Sequence, residues 1–510
     1  MGNTAVQNYI KKKLDKGEEL TGKMIDRLIK DHASIKEKTW KSYQRYLATD
    51  AGVPIKTRKV PDYEKVNNKL NNDFVGEIIN NKVSYFCGIP IGFEIDKNSY
   101  EQKPPSMMKK VFDTIVGMKN DRYKAHSDKM KEFMKLNNLA DTLAEQTKLV
   151  SIAGHAGIEL YIESQIIGTV ATPHVRVANV APWETIFITD SNNAVIYSLR
   201  YYQELDDNDK MITKVEFFDK DNVSYWIQST DEKVQKENPY VLDIEYAKNP
   251  MQHVFPMCPI VKFRNNDEEQ SDFEKIEPLI DGYDNTLSDI NSEIEALRLA
   301  YLLFTGGKAP TKELMDKLKQ VGALHNESES GKVGFLTKDI NDAAVENHLN
   351  RIEKNINRFG QSIDFTSEDF AGNISGIAMK YKLMAIDNKC KTLENKFNTS
   401  LTQMMYLVCH VWNTQKVDLN YLDVFFTYKR NLPTDYLYEA QISTALKGNV
   451  SERTRLSLLS FVDDVDYELE QMKEDAEASI PTFTDPTTDV EDEFNIGNLE
   501  EGEDDEQAAV

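Results

Sequence analysis

Several stretches of the chain hold residue types that could do chemistry, and in each the spacing is wrong for it. "TGGKAPTKE", residues 305–313, offers Gly-Gly-Lys, but the G-x-x-x-x-G-K-[ST] order of a phosphate-cradling loop is absent. "GNISG", residues 372–376, approaches the G-x-S-x-G turn that presents a nucleophilic serine, with Ser375 one place off. "DKDNVS", residues 219–224, opens like a calcium loop yet has Val at the fifth place and no glycine at the sixth. Its Asp and Asn residues predict a hairpin turn instead. His155 in "AGHAG" and His174 in "ATPHV" stand alone, as structural histidines do. Cys87, Cys258, Cys390 and Cys409 show no metal or redox spacing and fit a reducing compartment. The residues predict no catalytic centre, no metal and no cofactor.

Composition narrows the remaining classes. The net charge is −23, and the stretch from Glu474 to Val510 holds 14 acids and no Lys or Arg. That end reads as a disordered acidic tail, 479–510. The rest is still about −9, unlike a basic nucleic-acid binder. The opening "MGNTAVQNYIKKKLDKGEEL" has no apolar signal core, and Val6 breaks the myristoylation pattern that Gly2 would begin. The apolar run "MMYLVCHVW" is too short to span a bilayer. A soluble intracellular protein that touches no membrane is expected.

The elements follow from hydrophobic period. Residues 1 to about 155 read as helical, with "TGKMIDRLIKDHASIKEKTWKSYQRYL" amphipathic and a helix through Leu70, Phe74, Ile78 and Val83 stopped by Gly88 and Pro90. From about 157 the runs "IELYIE", "ETIFITD", "AVIYSLRYYQ", "ITKVEFFDK" and "VSYWIQ" read as strands between polar turns. Pro256 and Pro259 close that region. An apolar stripe then runs 273, 276, 280, 283, 287, 290, 294, 297, 301, with Ser271 and Glu274 as a capping box and a possible kink at Pro278 and Gly282. A second stripe runs 345, 349, 352, 356, 359, and a third 379, 383, 386, 390, 393, 397, 401, 404, 408, 411. The first rod would be about 42 Å long and the third about 48 Å. Narrow stripes sustained so long predict rods with a buried seam. Between the first two rods lies an insert, 302–340, with a strand at "GKVGFLTKDI", and 432–478 reads as a small helical cluster.

"FGQSIDFTSEDFAGNISGIAMKY", residues 359–381, interrupts the last two rods. Gly360 and Gly372 bound it as hinges, and Gln361, Ser362, Asp364, Thr366, Ser367, Glu368, Asp369 and Asn373 give it short polar and acidic side chains. Ile363, Phe365 and Phe370 are more than a plain linker needs. The first rod is acidic as well: Asp272, Glu274, Glu277, Asp281, Asp284, Asp289, Glu293 and Glu295 oppose Lys275 and Arg298. Either face of that rod could carry these acids as ordinary solvated charge.

The order of these parts resembles the portal proteins of tailed bacteriophages, of the Gram-positive siphophage type. The resemblance rests on "LNNDFVGEIINNKVSYFCGIPIGF", "VAPWETIFITDSNNAVIYSLRYY", "PLIDGYDNTLSDINSEIEALRLAYLLFTG" and "NISGIAMKYKLMAIDNKCKTLENKF" in sequence. It implies an α+β, mostly α, architecture in which long helices form a ring, usually of twelve subunits, around a central channel. Residues 1–265 would be the wing, 266–301 and 341–359 the two stem helices, and 302–340 the clip. Residues 360–374 would be the tunnel loop, 375–431 a long wing helix and return strand, and 432–478 the crown. The implied partners are double-stranded DNA bound without sequence preference, the terminase large subunit, a head-completion adaptor, and the major capsid and scaffolding proteins. The implied location is the capsid vertex of the virion, after assembly in the host cytoplasm. Lys308, Lys312, Lys317 and Lys319 of the slightly basic insert would dock terminase and adaptor. Two rival readings are a coiled-coil scaffold without a channel and a hydrolase assembled from scattered acids.

Overall fold

A computed structural model describes residues 2–61, 66–96, 121–167, 170–206, 209–297, 301–305, 311–313, 332–336, 342–364, 376–431, 436–459, 461–462 and 465–478. The chain divides into two compact units, Met1–Asn431 and Leu432–Val510. The first is a mixed helix-and-strand body.

Its first helix, α1 (Ala5–Leu14), is set by a capping box in which the Thr4 hydroxyl accepts from Gln7 N–H while the Gln7 side chain accepts from Thr4 N–H. Helix α2 (Gly22–Tyr46) is capped by Thr21. Both lay apolar stripes, with Ile10, Ile25 and Leu28, onto a sheet that supplies Ile186, Ile188, Leu199 and Phe217. Next come α3 (Phe74–Cys87), capped by Asp73, the short strand β1 (Gly92–Ile95), α4 (Asp121–Leu136) and α5 (Leu139–Ala153).

The strands follow as β2 (His155–Ile167), β3 (Val170–Val180), β4 (Thr185–Thr189), β5 (Val195–Leu205), β6 (Met211–Phe218) and β7 (Asn222–Gln228). A one-and-a-half-turn helix α6 (Glu232–Glu237) precedes β8 (Tyr240–Leu242), β9 (Met251–Gln252) and β10 (Ile260–Arg264). One antiparallel sheet has the order β10-β2-β3, the other β4-β5-β6-β7-β8 with β9 also on β7. The five expected strands are all present. Strand β3 was hidden by Pro173, which is tolerated because β3 lies at the edge of its sheet among the described residues. The "DKDN" turn joins β6 to β7 as expected of a hairpin, with Asp219 Oδ1 accepting from the amides of Asp221 at 2.7 Å and Asn222 at 2.6 Å.

The rods differ from the expectation at their ends. Helix α7 (Glu277–Leu297) begins six residues after Ser271. Half of the capping box exists, since Ser271 Oγ accepts from Glu274 N–H at 3.0 Å, but it caps a turn in which Phe273 O accepts from Ile276 N–H. Pro278 thereby falls in the first turn of α7, where its missing N–H costs nothing. The described helix ends at Leu297, and Tyr301 opens a strand, β11 (Tyr301–Thr305), instead of closing the helical stripe. "YLLFT" is rich in strand-favouring side chains, and it pairs antiparallel with β12 (Lys332–Leu336), the strand expected in the insert.

Helix α8 (Asp342–Gly360) follows, then α9 (Gly376–Thr414), 39 residues and about 58 Å long. In α9, Leu383, Ile386, Cys390, Leu393, Phe397, Leu401, Met404, Val408 and Val411 are all buried, as the third stripe requires. Strand β13 (Val424–Thr427) returns to pair with β1. The second unit holds three helices, α10 (Tyr436–Leu446), α11 (Glu452–Ser457) and α12 (Val465–Ala478). Its small core is Leu456, Leu459 and Val462, with Val465 and Leu469 against them.

Candidate functional site

The start of α7 and the end of α8 are packed together by Phe273, Ile276, Ile280 and Ile356, with Phe74, Ile78 and Ile79 of α3 in the same core. Helix α8 ends there in a defined cap. Gln361 takes the left-handed backbone (φ 52°), Gln361 N–H donates to Arg358 O, and Ser362 N–H donates to Asn357 O at 3.0 Å. Gly360, expected as a hinge, is the last helical residue and is buried. A Cβ on it would lie 3.0 Å from Ile276 Cδ1 and 3.4 Å from Ile78 Cδ1, so glycine is used for close packing. Phe359, the last residue of the second stripe, is 59% exposed; the buried place falls one residue later, on Gly360.

Beyond the cap, Gln361 is exposed, Ser362 and Asp364 are half-buried, and Ile363 is buried. Asn81 of α3 donates to the Ile363 carbonyl at 3.1 Å. Asp364 adds to an acidic group: burial raises the Glu77 carboxyl, and Asp364, Glu353 and Asp73 push it further. Thr366, Ser367, Glu368, Asp369, Gly372 and Asn373 lie outside the described residues, as do Lys308, Lys317 and Lys319. Lys312 is exposed.

Beneath the cap sits a buried charge cluster. Lys82 of α3 pairs with Asp272 at 2.7 Å and donates to Asn265 Oδ1 at 2.6 Å. Lys389 of α9 pairs with the same Asp272 at 3.2 Å. Burial alone would raise the Asp272 carboxyl, but the two ammonium groups hold it well below the usual carboxylate range. Burial pushes Lys389 below its usual range despite Asp272, and Lys82 adds to that.

The acids of α7 are largely engaged within the subunit, and this corrects their reading as a lumen-facing set. Glu274 pairs with Lys38, Asp281 with Arg45 at 2.5 Å, and Asp289 with Arg58 at 2.5 Å. Residues 68–72 run along α7, with the amides of Asn68, Leu70 and Asn72 donating to Ser292, Ser288 and Asp284, each at 2.9 Å. Those acceptors recur every four residues and so share one helix face, while alternate amides of an extended chain meet them. The sequence signal was the row Asp284, Ser288, Ser292, a polar stripe that the acid count obscured.

The isolated histidines and cysteines have structural settings. His155 lies 3.4 Å from Glu269, and burial lowers it to about 3. His174 lies 3.4 Å from Glu132. Cys258, Cys390 and Cys409 are buried, and burial pushes each thiol up. Among the described residues no group of three or more His, Cys, Asp or Glu side chains could hold a metal ion. None of their helices is long and apolar enough to cross a membrane.

A helix-and-strand body, two stem-like helices and a long helix joined by an acidic loop define a structural assembly component of the portal class. The chain belongs to the family described as "Phage portal protein, SPP1 Gp6-like", whose model matches residues 25–482. It is similar to the portal protein of Clostridium phage phiCD119, at 25% identity over 423 residues, 81% of this chain and 86% of that protein. It is also similar to the portal protein of Bacillus phage SPP1, at 23% identity over 466 residues, 87% of this chain and 85% of that one. Portal proteins are structural components of the virion, and this chain is a bacteriophage portal protein by family.

Proposed function

We propose that copies of this chain form a closed ring, of twelve subunits by the family pattern, around a channel through which double-stranded DNA enters the procapsid and later leaves it. The carrying observation is the reach of the family match, residues 25–482, which includes both stem helices, the insert, the loop and the long helix. In this reading residues 360–374 face the DNA. Asp364, Glu368 and Asp369 keep phosphates from adhering, because each contact made must be broken as DNA advances. Gly372 gives the loop its freedom to move. The wing meets capsid and scaffolding proteins, and the insert docks the terminase large subunit during packaging and a head-completion adaptor afterwards. Assembly takes place in the host cytoplasm.

The test is charge reversal in the loop. A ring carrying Asp364→Lys, Glu368→Lys and Asp369→Lys should form, bind DNA with steeper salt dependence, and stall in a packaging assay. Rings that package at the normal rate with all three lysines would overturn the placement of the loop. Lys312→Glu, Lys317→Glu and Lys319→Glu together should leave rings intact and abolish terminase or adaptor binding; unchanged binding to both would remove the insert from the docking surface.

A further inference from the structure

The end of α8 is drawn into the body by charge. The buried cluster below it holds two cations, Lys82 and Lys389, against one anion, Asp272. Asp272 and Lys82 are almost wholly buried, and Lys389 is 13% exposed. A buried surplus positive charge is costly unless a negative group meets it. The C-terminus of a helix is such a group, because its last carbonyls have no intrahelical donor and carry the negative end of the helix dipole. Lys389 Nζ donates to the Gly360 carbonyl at 2.8 Å while keeping Asp272 at 3.2 Å. Gly360 has no side chain to block the approach of the α8 end to Ile276 and Ile78.

We propose that Lys389 is the positioning residue that fixes where the DNA-facing loop begins, by tying the last carbonyl of α8 to the buried Asp272 cluster. This rests on the reading of the loop just given. Two backbone carbonyls at the loop root are then held by side chains from different helices, Gly360 by Lys389 of α9 and Ile363 by Asn81 of α3. Motion of the loop is confined to the residues after Ile363. Because Asp272 precedes α7, the same lysine joins the loop root to the head of the first stem helix. A shift at that joint is transmitted to the loop through one ammonium group.

The neighbouring lysine supplies the control. Lys389→Met leaves a balanced Lys82–Asp272 pair, and Lys82→Met leaves a balanced Lys389–Asp272 pair. Only the first removes the bond to Gly360. Hydrogen exchange by mass spectrometry on the full-length assembled chain reads the result at the Ser362 amide, which donates to Asn357 O. A hydrogen bond to a charged group corresponds to roughly a tenfold to hundredfold change in such an opening equilibrium. Lys389→Met should accelerate Ser362 exchange by that factor, Lys389→Arg should largely restore protection, and Lys82→Met should change it less than threefold. Unchanged exchange in Lys389→Met, or equal acceleration in Lys82→Met, would overturn the proposal. If Lys389→Met does not assemble, Lys389→Gln is read against the same limits. Exchange decides the clamp whatever packaging does, and the lysine-substituted loop decides the placement of the loop whatever exchange does.

Discussion

The two ends of the α7–α8 pair carry the same kind of apolar stripe and meet different fates. At the base, Phe273, Ile276, Ile280 and Ile356 are buried against α3 and rest on the Asp272 cluster. Toward the far end Leu287, Ile290, Val345 and Leu349 are half-buried, and Ile294 is 52% exposed. The long helix α9 behaves like the base, with its seam closed from Leu383 to Val411. The difference teaches that a heptad stripe reports an apolar face without saying which chain covers it. Where the subunit supplies α3 and the sheets, the seam closes internally. Where it supplies only a second short rod, the face is left for another copy, which is what a ring of identical subunits needs.

Three substitutions break or sharpen that contrast, in falling order of effect on folding. Asp272→Asn strands two lysines in the base and should cost about 3–5 kcal/mol at pH 7, read by denaturant unfolding. The carboxyl is held below its ordinary value in the folded chain, so its stabilisation is present above the unfolded carboxylate range. That stabilisation is lost as pH falls toward the folded value, and the gap between variant and parent should therefore narrow in acid. A gap that widens in acid would mean that Asp272 is not ionised in the folded state. Midway along α7, Ser288→Ala leaves the Leu70 amide without its acceptor and should cost about 1–3 kcal/mol, with faster exchange of that amide. At the far end, Ile294→Asp should change subunit stability by less than about 0.5 kcal/mol, as an exposed site does. Yet it should weaken ring formation in mass measurements across a dilution series. Equal ring formation would show that this face is not used between copies.

Much of the body was legible in the sequence, because alternation and helical period are local signals. The five strands between residues 158 and 228 and the seam of α9 follow directly from them. The shift in the start of α7 was legible only in part: Ser271 and Glu274 do form a cap, but the turn it caps depends on packing of Phe273 and Ile276 that no local pattern reveals. Tyr301 continued a helical stripe numerically while its partner strand, Lys332–Leu336, lay some thirty residues away. The site was the least legible part. Lys82, Asp272 and Lys389 come from three distant segments, and Gly360 reads as a hinge until Ile78 and Ile276 are seen against it. The acids of α7 looked like one electrostatic property when counted, and each turned out to have its own partner.

The central claim is that this chain assembles into a closed ring whose narrowest point is lined by the loop after Gly360. Cryo-electron microscopy of the assembled full-length chain tests it directly. The account predicts a closed ring with an open axial channel, the far halves of α7 and α8 against neighbouring copies, and residues 364–374 at the constriction. A stable monomer, a particle with no axial opening, or a ring whose constriction is formed by another segment would contradict it.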